Sequence, residues 1–442
     1  MMSVGRFLKI YCILALVYFA LAFTIGRKTV VGGFIIMSFT TLVVSVLASI
    51  LMLNEAKMRW IVIVSFLIKM VIGIAHFLFF FNGDYFSGDG EIMRVFQSDF
   101  TSYFDFVNGL SESKVSHGLF YFDDSVQKVT HVELLNVLAM FMYKFGIHAM
   151  NILPLNCMFS SLAALNIYVC LQKIETFKEK KTGLLWLLTL FPLFLDNAIF
   201  VRDITGQFLM SIGLTCFVIS SNRYKLLWIV PASYLFYMQR VGYVFVPFIA
   251  YVIDAAVNKK SSKNLLYLPV VLIVAFYFIS GVGGVEEDLA LRTGGDGVAG
   301  GTSLLLLPIR VVFGIIGPFP WTQFIVKGLV EPAYASQLYN YIAGVIHVGC
   351  LIMFFSSAET FKCLLRNQVF MVGLIIVGMG ILDGAMHITY IMAGTCFMVP
   401  AIYLAYNKQL YSKSMRTSFF TLLGLNIFVI ATGGGFMSFF GV

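Results

Sequence analysis

Two arginines stand in largely apolar stretches: Arg202, followed by Asp203, comes after Leu195-Asp196-Asn197-Ala198-Ile199-Phe200-Val201, and Arg240 follows Tyr234–Gln239. An arginine inside an apolar run is costly to keep in a membrane, so it faces the interior and has a partner. Phosphate is an anion that its planar fork grips well. For Arg202 the plainer alternative is an ion pair with Asp203 that seals a hairpin tip, whereas Arg240 has no carboxylate neighbour in sequence. Asp89 stands between Gly88 and Gly90, where glycines allow a tight turn that aims a carboxylate. A carboxylate against an apolar wall can have a raised pKa and act as a general base toward a hydroxyl, with Asp84 as second choice. The structural alternative is an acidic turn that caps a helix over Glu91–Phe100.

Further candidates are scattered along the chain. Arg292 lies in a Gly-rich stretch suited to a lid over a pyrophosphate, or to a solvated loop. Arg310 lies on the apolar segment Leu304–Ile316, read as a re-entrant or interfacial helix, with Trp321 beyond it; the two suit interfacial anchoring or, for Trp321, stacking on a sugar face. His387 sits on a short apolar run as an interior polar group or a ligand contact, and Lys69 and His76 on an earlier run either snorkel or pair internally.

The elements that must position these residues follow from composition. Of 442 residues, 60% are hydrophobic and 12% are charged. Soluble domains carry about 25% charged residues, so lipid solvates most of this surface. Runs such as Thr29–Leu53 and Trp60–Phe81 lack the alternation of barrel strands and therefore predict helices. The expected fold is an all-α, polytopic integral membrane protein forming a single membrane-embedded domain over 1–442. The run Phe7–Gly26 lacks a small-x-small cleavage site and reads as a retained first helix.

The net charge of +8 is not a nucleic-acid footprint, because most of the excess lies in short loops where it orients the chain. Placing Lys57/Arg59, Lys173–Lys181, Arg223/Lys225, Lys259–Lys263, Lys362/Arg366 and Lys408–Arg416 on the cytoplasmic side with the N-terminus gives a consistent path. That path has about thirteen spans. They fall near 7–26, 29–53, 60–81, 148–171, 183–200, 204–220, 226–238, 241–257, 265–281, 338–357, 369–382, 388–406 and 417–435.

Two long extracytoplasmic loops result, 82–147 and 282–337, and Val132–Phe145 in the first reads as an amphipathic interfacial helix. The span pairs around Arg202-Asp203, Gln239-Arg240 and Asp383/His387 are short hairpins whose polar tips would sink below the outer surface. None of the seven cysteines lies in an expected external loop, and no CxxC spacing occurs, so neither a disulfide framework nor a structural metal is indicated. Walker, GxSxG and HExxH motifs are absent, and no cofactor is expected.

Gly88-Asp89-Gly90 opening the first outer loop, Phe191-Pro192 ahead of Phe200-Val201-Arg202-Asp203, Gln239-Arg240, and Pro318-Phe319-Pro320-Trp321 form an ordered set. In that order they resemble membrane glycosyltransferases of the GT-C superfamily, in particular O-antigen repeat-unit polymerases of bacterial surface-polysaccharide synthesis. The resemblance covers about 80 to 321. It implies a sugar donor on a polyprenyl phosphate or pyrophosphate, transferred at the outer face of the bacterial cytoplasmic (inner) membrane. Asp89 would be the general base; Arg202, Asp203 and Arg240, with Arg292 and Arg310, would hold the lipid-linked substrate. The acidic loop follows the third span here and the first in typical members, which two additional N-terminal helices would reconcile. The expected partners are the polyprenyl-linked oligosaccharide, membrane lipid and other polysaccharide assembly proteins. The alternative function is a flippase or exporter of the same lipid-linked glycan, and a scaffold for other polysaccharide enzymes is a third reading.

Overall fold

The computed structural model describes residues 2–25, 30–80, 98–121, 132–145, 149–172, 174, 177–191, 203–221, 224–258, 364–382, 388–405, 420 and 424. Among the described residues every regular element is helical. The helices are α1 (Val4–Ile25), α2 (Val30–Met52), α3 (Ala56–Phe80), α4 (Ser98–His117), α5 (Val132–Met142) and α6 (Ala149–Leu171). They continue with α7 (Phe177–Thr189), α8 (Asp203–Ile219), α9 (Lys225–Gln239), a 3-10 turn (Val241–Phe245), α10 (Val246–Asn258), α11 (Gln368–Leu382) and α12 (Ile388–Ala405).

Among the described residues four stretches are long and apolar enough to cross a membrane: Val4–Phe23, Gly32–Met52, Ala56–Ala75 and Asn151–Leu171. The segments expected to span at 265–281 and 338–357 lie outside the described residues, as does 417–435 apart from Phe420 and Gly424. The chain divides into two compact units, residues 1–172 with 181–241, and residues 173–180 with 242–442.

In the first unit α6 is the central helix. Its Asn151–Leu171 stretch is buried along its whole length, against α2, α3, α5 and α8. A helix with protein on every side needs no lipid-facing stripe and can carry polar groups wherever partners exist. Asn156, Ser160, Ser161 and Asn166 are accordingly all fully buried.

The surrounding helices have the reverse polarity of a soluble bundle. On α3 the exposed residues Trp60, Val64, Leu67 and Val71 recur at helical spacing, while Lys69 on the opposite side is buried. On α1 the outward residues are Ile13, Leu16 and Phe23. A contiguous apolar exterior over a polar interior is the arrangement that lipid rewards and water penalises.

Interhelical hydrogen bonds carry the interior. Tyr11 on α1 donates to Asn166 Oδ1 at 2.7 Å, and Asn166 Nδ2 donates to Ser211 Oγ on α8 at 2.8 Å. Cys170 Sγ donates to Thr215 Oγ1 at 3.3 Å, one turn further along the same α6–α8 seam. The Lys69 ammonium donates to Ser160 Oγ and Ser161 Oγ at 2.8 and 3.1 Å, the internal pairing that was one of two sequence expectations.

The two ends of this unit differ. At one end Lys181 forms an ion pair with Glu55, Thr182 lies against Met58, and Arg59 donates from Nε to the Leu53 carbonyl at the end of α2. At the other, Tyr18 donates to the Phe141 carbonyl and Asn151 to the Phe145 carbonyl, which ties the end of α5 to α1 and α6.

The helix α4 departs from the sequence expectation, which ended a helix at Phe100. It runs from Ser98 to His117 and closes on Gly118. The left-handed φ of +106° at Gly118 lets its N–H reach the Lys114 carbonyl, a glycine stop signal. The Lys114 ammonium pins α4 to α5 through Asn136 Oδ1 at 3.1 Å and the Tyr121 carbonyl at 2.6 Å. The expected amphipathic helix over Val132–Phe145 is present as α5, from Val132 to Met142.

In the second unit α11 packs on α12, and α10 packs on α11. Gln368 donates to Asp254 at 2.6 Å between α11 and α10. Lys180 donates to the carbonyls of Tyr403 and Leu404 at the end of α12, a cation at a helix C-terminus where the last carbonyls lack intrahelical partners.

Candidate functional site

The site is built where two short helices meet. The helix α8 has 17 residues and α9 has 15. At about 1.5 Å per residue each is shorter than the ~30 Å hydrocarbon core. They pack against each other, with Gly213 allowing close approach: a Cβ there would sit 3.1 Å from Ala232 Cα. The N-terminus of α8 thereby lies beside the C-terminus of α9.

At that junction Gln239 Nε2 donates to Asp203 Oδ1 at 3.0 Å. The Gln239 side chain lies directly on Gly206, one turn into α8, where a Cβ would overlap its amide oxygen. Gln239 and Arg240 are 2% and 7% exposed, so a guanidinium and an amide are both held within the protein. The chain leaves α9 at Arg240, whose φ of −158° and ψ of 139° are extended, with its N–H on the Phe236 carbonyl at 3.2 Å. This brings Asp203 and the Gln239-Arg240 dipeptide together at one end of the unit.

The helix α5 reaches the same region. It packs on both α8 and α9, and the Glu133 carboxylate in its first turn lies within electrostatic range of Tyr234 on α9. Behind the junction, the interior face of α8 carries Thr205, Gln207 and Ser211, all buried.

Of the residues singled out in sequence, Asp203 and Arg240 fall within the described set and come together through Gln239. Asp84, Asp89, Arg202, Arg292, Arg310, Trp321 and His387 lie outside the described residues. Gln239 and Gly206 were not singled out as site residues. The signal for Gln239 was its place beside Arg240 in a short hairpin tip; Gly206 carried none. Among the described residues no group of three or more His, Cys, Asp or Glu could hold a metal ion.

Chemically, the arrangement offers a buried guanidinium one residue after an amide that is bonded to a carboxylate. A guanidinium so placed can retain an anionic group delivered from a lipid phase. The class these features define is an all-helical protein with helices long and apolar enough to cross a membrane. No family model, no curated protein and no solved structure matches the chain.

Proposed function

We propose that this chain is a glycosyltransferase of the GT-C kind that uses a polyprenyl-(pyro)phosphate-linked donor at the outer face of the bacterial cytoplasmic membrane, and that it polymerises polysaccharide repeat units. The observation that carries this reading is the meeting of the start of α8 with the end of α9, with Gln239 on Asp203 at 3.0 Å and the adjoining Arg240 buried. A guanidinium held there suits an anionic group, and a lipid-linked phosphate reaches it without leaving the bilayer.

In the proposed reaction the acceptor hydroxyl attacks the anomeric carbon and the glycosidic C–O bond to the lipid phosphate breaks. The hydroxyl proton passes to a carboxylate, assigned to Asp89, and the departing (pyro)phosphate takes the bonding electrons. Arg240 and Arg202 stabilise the charge that grows on it, the electrostatic route open to a water-poor site. Contacts of α5 with α8 and α9 support a substrate path beneath the first outer segment.

The test is reconstitution in vesicles with a lipid-linked repeat unit presented at the outer leaflet. Products of doubled length are expected from the native chain and none from Arg240→Ala at equal protein level. Transbilayer movement of the lipid-linked glycan without elongation would overturn the enzyme reading in favour of a flippase.

A further inference from the structure

The contact between Gln239 and α8 is more demanding than a single hydrogen bond requires. The amide nitrogen donates to Asp203 Oδ1 at 3.0 Å, while the amide oxygen rests over Gly206, in space that any other residue would fill with a Cβ. Only a glycine three residues after the aspartate leaves this slot open. The side chain is 2% exposed, so its rotamer is fixed by packing as well as by the bond. Because the chain turns extended at the next residue, the direction in which Arg240 departs follows from where Gln239 is seated.

We propose that Gln239 is a positioning residue: its amide, seated on Gly206 and bonded to Asp203, fixes the offset between the start of α8 and the end of α9 and so holds Arg240 within the protein. Asp203 acts in this arrangement as the acceptor of a neutral N–H. What this bond needs from it is an oxygen at that point. The proposal rests on the functional reading above only for the purpose that the offset serves; the latch itself is a matter of geometry and is tested without catalysis.

The test uses the full-length protein in lipid nanodiscs with Arg240→Cys as reporter. The rate of modification of Cys at 240 by a small methanethiosulfonate is read by mass spectrometry of its peptide. The reporter is combined with Gly206→Ala, Gln239→Leu, Asp203→Leu or Asp203→Asn, and each variant is checked for a monodisperse, cooperatively unfolding species. Gly206→Ala, Gln239→Leu and Asp203→Leu should each speed modification by about tenfold, the factor that corresponds to loss of one net hydrogen bond. Asp203→Asn keeps a carbonyl acceptor for Nε2 and should stay within about twofold of the reporter alone.

Equal rates in all four backgrounds would overturn the latch. So would Asp203→Asn reacting as fast as Asp203→Leu, since charge and not the acceptor would then be holding the tip. Gly206→Ala and Gln239→Leu reach the same contact from opposite helices, so if one variant fails to fold the other still decides. A latch upheld here, alongside a reconstituted protein that transfers no sugar, would leave the geometry standing and remove the glycosyltransferase reading alone.

Discussion

The Lys69 ammonium donates to Ser160 Oγ at 2.8 Å inside the bundle, and Ser161 Oγ accepts from it at 3.1 Å. Both hydroxyls in turn donate to the Cys157 carbonyl, at 3.0 and 2.7 Å. The serines therefore keep a hydrogen bond whether or not the lysine is present, while the lysine leaves solvent for two neutral partners. Burial of an ammonium among neutral groups costs more than two such bonds return. Lys69→Met should accordingly be neutral or raise the stability of the detergent-solubilised protein by on the order of 1 kcal/mol, measured by thermal unfolding. Lys69→Glu should destabilise it. A drop of more than about 2 kcal/mol in Lys69→Met would mean that the charge is needed where it sits.

Lys114 makes the corresponding case outside the membrane-spanning helices. Burial holds its ammonium below the ordinary lysine range, while its partners are Asn136 Oδ1 and the Tyr121 carbonyl. A base whose folded pKa is lowered binds fewer protons folded than unfolded, between that pKa and its unfolded value near 10.4. Stability rises with pH wherever the unfolded state binds more protons, so the docking of α4 on α5 should tighten as pH rises through this window. Below the folded pKa the contribution is flat. Amide exchange over 98–121, corrected for the intrinsic rate at each pH, should slow as the medium is made more alkaline. Lys114→Met should abolish that trend, and a native trend of opposite sign would refute the assignment.

Much of the helical framework was legible because long apolar helices are read by length and apolarity alone. The expected spans 7–26, 29–53, 60–81 and 148–171 lie within a few residues of α1, α2, α3 and α6. The short runs 204–220, 226–238, 369–382 and 388–406 likewise coincide with α8, α9, α11 and α12. The helix α4 was not legible. Its inward stripe is Val107, Leu110, Ser111 and Lys114, at helical spacing, but half of it is polar. A periodicity built on apolar residues does not register such a face, because Lys114 is buried by partners remote in sequence.

The site was legible in half. An arginine in an apolar run is a costly object and draws notice from sequence alone, which brought out Arg202 and Arg240. The partner that places Asp203 is neutral and 36 residues away, so no local spacing points to it. Gly206 lies in an ordinary helical context, and its purpose becomes visible only when the Gln239 amide is seen to occupy its face. Sequence offered an Arg202–Asp203 ion pair as the plain reading of this tip; the amide of Gln239 is a partner that reading did not contain.

The packing of α11 on α12 depends on two glycines facing each other. A Cβ at Gly373 would lie 2.6 Å from the Gly394 carbonyl oxygen and 2.7 Å from Met398 Cγ. One at Gly394 would lie 2.5 Å from the Gly373 carbonyl oxygen. Backbone cannot yield as a side chain can, so Gly373→Ala and Gly394→Ala should each destabilise by about 1–3 kcal/mol through overpacking. Gly378 on the same helix has nothing within 4 Å of its would-be Cβ. Gly378→Ala should gain up to about 1 kcal/mol from helix propensity. Thermal unfolding of the three variants checks the contrast, and equal effects at 373 and 378 would refute the close approach.

The ends of the first unit make a prediction about sidedness. The Glu55–Lys181 ion pair places the α2–α3 connection and the start of α7 together, whereas α5 joins the opposite ends of α1 and α6 through Phe141 and Phe145. Since Lys114 pins α4 to α5, the exposed Ser116 belongs with that opposite end. If the basic loops face the cytoplasm as their charge requires, Ser116→Cys should react with a membrane-impermeant maleimide in intact cells. Glu55→Cys and Lys181→Cys should react only after permeabilisation, all three in a background without the exposed Cys12. Removing the ion pair itself should cost little, because exposed pairs contribute about 0–1 kcal/mol, so neither cysteine disturbs what it reports. Labelling of 55 and 181 from outside with 116 protected would invert the orientation, and would place the Asp203–Gln239 junction on the cytoplasmic side, where a periplasmic transfer reaction could not use it.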